Sequence, residues 1–287
     1  MRKADFEYEW IKGLLIFKKA GYTITTEGIE APQTFVARKD HSRKVTKRPN
    51  LAMQELKVLE VLEDTQPVTV WKACRIDEEG NRTNQIYTLK RFPVMEADPR
   101  RQLVAELDGL LEMPAHLGVR PIDAFIDKLE AILVLDNEGG RYLSETASRK
   151  GPMPERLVSI VVRQVLAALL FLHNEKMRVH NNITSANVLI LRSGEVKIGG
   201  FSFSSKAFIG HTSCKFAGNF VHMSPERLLG LECGYKGDVW SVGILTLSLL
   251  IGASPYDMTR FTGPTAIFDF KKAVVTEPSP SLRRGGE

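Results

Sequence analysis

The residues with the clearest chemical meaning lie in 179–202, which reads VHNNITSANVLILRSGEVKIGGFS. His180, Asn182 and Asn187 follow an apolar stretch, and Gly200 comes near the end of the segment. An Asn side chain donates and accepts hydrogen bonds, but it carries no charge and is not a useful general base. Gly200 offers no side-chain oxygen, whereas Mg²⁺ prefers carboxylate ligands. The segment therefore holds polar groups without the acids that general-base or metal-ion chemistry needs.

The same segment resembles the catalytic core of a eukaryotic protein kinase, which reads V-H-R-D-x-K-x-x-N-x-L and then V-K-I-x-D-F-G. His180 and Asn187 match this pattern, and Asn181 replaces the Arg. Asn182 stands where the Asp that deprotonates the attacking hydroxyl should be, and Gly200 where the Asp that holds Mg²⁺ should be. The resemblance implies that His180 is structural, that Asn187 is at most one weak metal ligand, and that phosphoryl transfer is impaired.

A second part of the kinase pattern concerns the nucleotide phosphates. Lys90 in IYTLKRF resembles the Lys that contacts the α- and β-phosphates, and Glu106 in AELDGLL resembles its ion-pair partner. The pair could also be kept simply to hold two lobes together. The phosphate-binding loop should fall within 62–71, but LEDTQPVTVW has no glycine, and Glu63 and Asp64 add negative charge. We interpret it as an ordinary β-turn and expect ATP and Mg²⁺ to bind weakly or not at all.

The activation segment, 201–226, favours one kinase group. Its end and the next residue, GNFVHMSPER, are similar to the G-T-x-x-Y-M-S-P-E-R of MAP kinase kinases, with His222 in place of the Tyr and Glu226 in an expected structural role. Thr212 and Ser213 lie near where that group is phosphorylated, and they are either regulatory phosphosites or ordinary loop residues.

The elements that must position these residues follow from the apolar patterns. ELKVLEVLED, VTVWKACRID and QIYTLKRF predict three strands, DPRRQLVAELDGLLEM a helix, and VRPIDAFID and LEAILVLD two more strands. A hinge at 137–140, a helix at 154–176 and a central buried helix at 237–256 should follow. In the central helix, Asp238 should accept backbone hydrogen bonds from the catalytic loop.

These elements predict an α+β, two-lobed protein kinase fold. Residues 1–50 form a basic extension, 51–136 an N-lobe with five antiparallel strands, and 137–287 a mainly helical C-lobe. The resemblance covers 52–282, whereas the family continues through several more helices. We therefore expect either a fragment of a longer protein or a partner that covers the apolar face of 238–251.

All of the +5 net charge lies in the basic extension. Residues 1–50 carry 11 Lys and Arg against 6 Asp and Glu, and the remaining 237 residues carry 28 of each. Within it, 5–20 could form a short amphipathic helix, and 21–50 looks loop-like. A basic segment of this kind is either a solvated linker or a docking site for a partner.

KVTKRPNLAM, from Lys44, is similar to the peptides with which MAP kinase kinases dock their MAP kinase. In that interpretation Lys47 and Arg48 pair with an acidic patch, and Leu51 and Met53 fill apolar slots. Leu51 could instead simply open the first strand of the N-lobe.

The composition, 43% apolar and 25% charged, is that of a soluble globular protein. No apolar run reaches the length of a membrane span, and the charged N-terminus lacks the apolar region of a signal peptide. Three cysteines at unrelated spacings suit a reducing compartment, so we expect a cytoplasmic protein. Nothing downstream supplies a basic face with stacking aromatics for nucleic acid.

Two functions remain open at this point. The first is a pseudokinase that acts as a signalling scaffold or allosteric partner. The alternative is an active or weakly active serine/threonine (dual-specificity) kinase that binds ATP.

Overall fold

A computed structural model describes residues 8–11, 14–17, 22–24, 29–30, 51–65, 67–206, 219–231 and 234–282. The chain divides into two compact units. The first unit holds residues 1–111 and 119–139, and the second holds 112–118 and 140–287. Strands and helices together give the α+β fold class predicted from the sequence.

The first unit is built on a five-stranded antiparallel sheet with strand order β5-β6-β7-β9-β8. The five predicted strands are confirmed, with these bounds: β5 Leu56–Thr65, β6 Val68–Ile76, β7 Arg82–Pro93, β8 Arg120–Asp127 and β9 Glu130–Asp136. Side chains from the five strands and from Leu51 pack into one apolar core. It contains Leu51, Leu56, Ala73, Tyr87, Leu89, Phe125, Ile132 and Val134.

Helix α1, Ala97–Glu112, is the predicted helix of the first unit. Leu103, Leu107 and Leu110 are fully or nearly fully buried, as expected from their helical spacing. Glu106 lies on the same buried side and is 0% exposed. A buried carboxylate on an apolar face requires a partner of opposite charge.

A small antiparallel sheet precedes these elements and corrects two predictions. The predicted helix at 5–20 is wrong, because Tyr8–Ile11 and Leu14–Phe17 form the paired strands β1 and β2. Part of the predicted loop at 21–50 is also strand, namely β3 Tyr22–Ile24 and β4 Ile29–Glu30. Aromatic and β-branched residues favour strands, and Gly13 and Gly21 separate the runs. β3 and β4 contact β8.

The second unit is mainly helical. Its helices are α2 Leu143–Lys150, α3 Glu155–Asn174, α4 Pro225–Leu228, α5 Tyr235–Ile251 and α6 Ala266–Thr276. Short strands form a three-stranded sheet and a separate pair: β10 Arg141–Tyr142, β12 Val188–Ile190 and β13 Val196–Ile198, and β11 Arg178–Val179 with β14 Ser205–Lys206. The predicted long helices correspond to α3 and α5.

Helix α3 packs against α5 and β13 with Val161, Val165 and Leu172 buried. Within the described ranges, α3 alone is long and apolar enough to cross a membrane, whereas the sequence predicted no such segment. Its buried face makes it the core helix of this unit. On α5, Val239 and Ile251 are exposed, whereas Val242, Ile244, Leu245 and Leu249 are buried, so most of the apolar face predicted to need cover is buried.

Candidate functional site

Asp238, in the first turn of α5, organises the catalytic-loop region of the second unit. Its carboxylate is fully buried and accepts hydrogen bonds from the backbone N–H of His180 at 2.8 Å and of Asn181 at 2.7 Å. The Nε2 of His173 also lies 2.8 Å from this carboxylate. This is the contact predicted from the sequence, and it fastens the start of the loop to α3 and α5.

His180 is buried and has both ring nitrogens engaged. Its Nδ1 accepts the N–H of Asn182 at 3.2 Å, so Nε2 carries the proton and donates to the Gly199 carbonyl at 3.1 Å. This arrangement is that of a neutral imidazole. The ring also packs on Phe201, with 4.6 Å between centroids. His180 therefore has the structural role expected of it.

Asn182 and Gly200, the two positions that lack the family acids, are joined by a hydrogen bond. The Nδ2 of Asn182 donates to the Gly200 carbonyl at 3.3 Å. Asn187 lies beside both residues, because its Nδ2 donates to the Asn182 carbonyl at 3.0 Å and its own carbonyl accepts the N–H of Gly199 at 2.9 Å. The structure thus brings the three predicted residues together as a network of amides.

Asn181 adds contacts that sequence reasoning missed. Its backbone has a φ of +65°, and its Nδ2 donates to the Phe203 carbonyl at 3.1 Å. Its own carbonyl accepts a hydrogen bond from the guanidinium of the buried Arg227. Burial lowers the pKa of Arg227 to about 10, and the nearby Asp238 opposes this change. Next to Arg227 in α4, the structurally assigned Glu226 is half-buried.

Lys90 and Glu106 form the predicted ion pair within the first unit. The Nζ of Lys90 lies 2.7 Å from a carboxylate oxygen of Glu106. The side chain of Glu106 is 0% exposed and that of Lys90 is 10% exposed. Because little water reaches either group, the ion pair offsets part of the solvation that each charge loses on burial.

The segment predicted to replace the phosphate loop is a tight hairpin. β5 and β6 stay paired up to Thr65 and Val68, with Asp64 opposite Thr69 and Glu63 opposite Val70. Strand pairing engages backbone groups that an open, glycine-rich loop would turn toward phosphates. The hairpin agrees with the interpretation of this segment as a β-turn.

The docking residues predicted from KVTKRPNLAM do not all lie on an available surface. The Leu51 side chain is buried in the core of the first unit, and its N–H donates to Asp123 at 2.9 Å. Met53 packs against the same core. Burial leaves Leu51 unable to fill a slot on a partner. It lies shortly before β5 and belongs to the core of the sheet instead. Lys47 and Arg48 lie outside the described residues, as do the candidate phosphosites Thr212 and Ser213.

A divalent metal does not fit the residues present. Gly200 contributes no ligand, and a Cβ at this position would lie 2.1 Å from Cγ of Asn187. In the ranges that the structure describes, no group of three or more His, Cys, Asp or Glu side chains could hold a metal ion. Mg²⁺ binds through carboxylates together with substrate phosphates, so no step can be derived through a metal at this position.

The comparisons with known proteins identify the class. A family model described as the protein kinase domain matches residues 76–276, which is more than half of the chain. The chain therefore belongs to the protein kinase family. It is 32% identical over 209 residues to mitogen-activated protein kinase kinase 2 of Arabidopsis thaliana and 30% over 204 residues to mitogen-activated protein kinase kinase SIPKK of Nicotiana tabacum. Its kinase domain is of the MAP kinase kinase type, as predicted.

These alignments cover 71% and 69% of this chain, but only 57% of each relative. Dual specificity mitogen-activated protein kinase kinase dSOR1 of Drosophila melanogaster is 29% identical over 203 residues, which are 64% of this chain and 51% of that protein. The chain thus spans little more than half the length of these three relatives.

His222, which replaces the family Tyr, is a half-buried residue whose two ring nitrogens are buried, and sequence reasoning did not single it out for a role. Neither of its ring nitrogens has a hydrogen-bond partner among the described residues. Its carbonyl accepts the hydroxyl of Ser241 at 2.7 Å, which places it against α5. Burial lowers the pKa of His222 from 6.5 to about 4, so the imidazole is neutral in the folded chain.

We predict that His222 makes the protein less stable in mild acid. Between its unfolded and folded pKa values the unfolded chain binds a proton that the folded chain does not, so stability falls as the pH drops from 6.5 toward 4. The loss should reach about 2 kcal/mol near pH 5. Unfolding in urea at several pH values should show that the free energy of unfolding falls less steeply in acid for His222→Phe than for the wild type.

His116→Gln, at an exposed histidine, is the control and should keep the wild-type profile. An unchanged profile in His222→Phe would contradict the prediction.

Proposed function

We propose that this chain is a MAP kinase kinase-like pseudokinase that acts as a signalling scaffold or allosteric partner in a kinase cascade. One observation carries the proposal: neither residue 182 nor residue 200 holds a carboxylate, and the Asn182 amide is bonded to the Gly200 carbonyl. Phosphoryl transfer requires a base for the attacking hydroxyl and a metal ligand for the phosphates. Here an uncharged amide, Asn182, stands in place of the base, and Gly200 has no side chain in place of the metal ligand.

Other contacts support the same proposal. The β5–β6 hairpin is closed and carries Glu63 and Asp64, which would repel phosphates. Asp238, His180 and the Lys90–Glu106 pair are the features retained, and each stabilises the fold through buried contacts. A chain that contains the buried contacts of a kinase fold without its catalytic acids suits a protein that is recognised by partners.

We predict that the purified chain transfers no phosphate from ATP and Mg²⁺ to itself or to a MAP kinase. Transfer should stay at the level of a Lys90→Arg control, which keeps a positive charge beside Glu106. Because the metal ligands are missing, Mg²⁺ should add nothing to any shift in melting temperature that ATP causes. Transfer above the control, measured with labelled ATP, would refute the proposal.

One observation favours the alternative of a weakly active kinase that binds ATP. The Lys90–Glu106 pair is intact at 2.7 Å, in the form that would orient nucleotide phosphates in a kinase. A melting-temperature shift with ATP that grows on addition of Mg²⁺ would support this function. A shift with ATP alone, and no phosphate transfer, would identify a nucleotide-binding pseudokinase.

The partner that we propose is a MAP kinase, because the relatives of this chain are MAP kinase kinases. Lys47 and Arg48 are the candidate contacts, since Leu51 lies in the core. Replacing both with Ala should weaken binding of a MAP kinase in a pull-down or by calorimetry. Replacing the exposed Lys236 and Lys272 with Ala is the control, since it removes two positive charges elsewhere and should leave binding unchanged.

A further inference from the structure

We infer that Asn187 is a built-in plug of the former metal site: its carboxamide fills the space of a side chain at position 200 and holds the loop without a cation. The inference rests on the proposed function, which assigns this place as a metal site that has lost its acid. It goes further, because it states that the site is closed from within and that restoring the acid at residue 200 alone would not rebuild it.

The first observation is steric. A Cβ added to Gly200 would lie 2.1 Å from Cγ, 2.2 Å from Oδ1 and 2.5 Å from Nδ2 of Asn187. Atoms that are not bonded to each other do not approach this closely in proteins, since carbon atoms pack at about 3.5–4.0 Å. The Asn187 carboxamide therefore occupies the volume that any side chain at position 200 would need.

The second observation is that Asn187 is held in this place. Its Nδ2 donates to the Asn182 carbonyl at 3.0 Å and lies 3.3 Å from the hydroxyl of Thr184. Its side chain is buried, and its backbone carbonyl accepts the N–H of Gly199 at 2.9 Å. An amide nitrogen with two hydrogens offers two donors and no lone pair for a metal ion, which leaves Oδ1 as the one side-chain atom of Asn187 that could contact a cation. A single amide oxygen does not replace the carboxylates through which Mg²⁺ is held.

The third observation is the backbone of Gly200, which has a φ of +81°. A residue with a Cβ is strained in this conformation, so a variant at this position combines backbone strain with the collision against Asn187. Gly194 separates these two effects. It has a φ of +86° in the same unit, and a Cβ added there would meet nothing within 4 Å.

Thermal unfolding of the full chain tests the steric part. Gly194→Ala should lower the melting temperature by about 2–4 °C through strain alone. Gly200→Ala should lower it by at least twice as much. Asn187→Ala should cost less in the Gly200→Ala background than in the wild type, because the double variant no longer contains the collision. Equal losses for the two glycine variants, or losses of the Gly200→Ala and Asn187→Ala single variants that simply add in the double variant, would overturn the inference.

A Gly200→Ala chain that fails to fold would not end the test. The Gly200→Ala/Asn187→Ala variant should then recover folded protein, as judged by circular dichroism and gel filtration. Failure of that double variant, with Asn187→Ala alone folded, would count against the plug.

Binding of Mn²⁺, followed by water-proton relaxation, tests the metal part without reference to activity. Wild type and Gly200→Asp should both show no protein-dependent enhancement at millimolar Mn²⁺. Binding to wild type that Asn187→Ala abolishes would make Asn187 a ligand and overturn the inference. The two proposals fail separately: phosphate transfer by wild type would reject the pseudokinase, whereas missing coupling between Gly200 and Asn187 would reject only the plug.

Discussion

Asp238→Asn is expected to destabilise the second unit by about 3–5 kcal/mol, the range seen when one partner of a buried charged network is removed. One carboxylate oxygen of Asp238 accepts from His180 and contacts His173, and the other accepts from Asn181. All of these groups can donate. An amide nitrogen in place of either oxygen would therefore face another donor, and at least one buried backbone N–H would lose its partner.

Equilibrium unfolding in urea measures this loss, and Asp257→Asn is the matched control. Asp257 also accepts a backbone N–H, from Thr259 at 3.1 Å, but it is exposed. Its replacement should lower the free energy of unfolding far less than Asp238→Asn does, because water can solvate the groups that the change leaves without a partner. Similar losses for the two variants would show that Asp238 does not organise the loop.

Lys90→Met is expected to destabilise the first unit by about 3–5 kcal/mol, because the fully buried carboxylate of Glu106 loses the ammonium group that lies 2.7 Å from it. Glu106→Gln should cost less. The ammonium group that it leaves behind belongs to a side chain that is 10% exposed and can reach water, whereas Glu106 is 0% exposed. A double variant, Lys90→Met/Glu106→Leu, removes both charges and should regain much of the loss.

The control for this ion pair is Arg75 with Glu55, which lie 3.0 Å apart in the same unit with side chains 33% and 38% exposed. Arg75→Met should cost less than about 1 kcal/mol, since water solvates the remaining charge. Unfolding in urea compares the two series. If Lys90→Met costs no more than Arg75→Met, the buried pair is not an important source of stability.

Much of the fold could be predicted because a long apolar pattern fits the period of a helix or that of a strand, but not both. The strands of the five-stranded sheet and helices α1, α3 and α5 are all long or strongly patterned. The N-terminal sheet was missed because its strands have only two to four residues. In runs this short, apolar residues are compatible with either a helix or a strand, and pairing with a neighbour decides the outcome.

The candidate site could be predicted in its residue types but not in its contacts. The absence of acids at 182 and 200 can be read from the sequence, whereas the collision of Asn187 with a side chain at 200 depends on a backbone angle and a rotamer. Arg227 reaches the Asn181 carbonyl across 46 residues, which no local pattern reports. For Leu51 the sequence left two interpretations open, because the same apolar spacing suits a partner's groove and the chain's own core, and its burial favours the second.

The segment 31–50 joins two points attached to one strand. At one end β4 contacts β8, and at the other the N–H of Leu51 is bonded to Asp123 of β8. Ile29–Glu30 and Leu51 are thus attached to the same strand, although 20 residues separate them in the sequence. The entropy cost of bringing two such points together grows only slowly with the number of residues between them, so a separation of this size adds little to the cost of forming either contact.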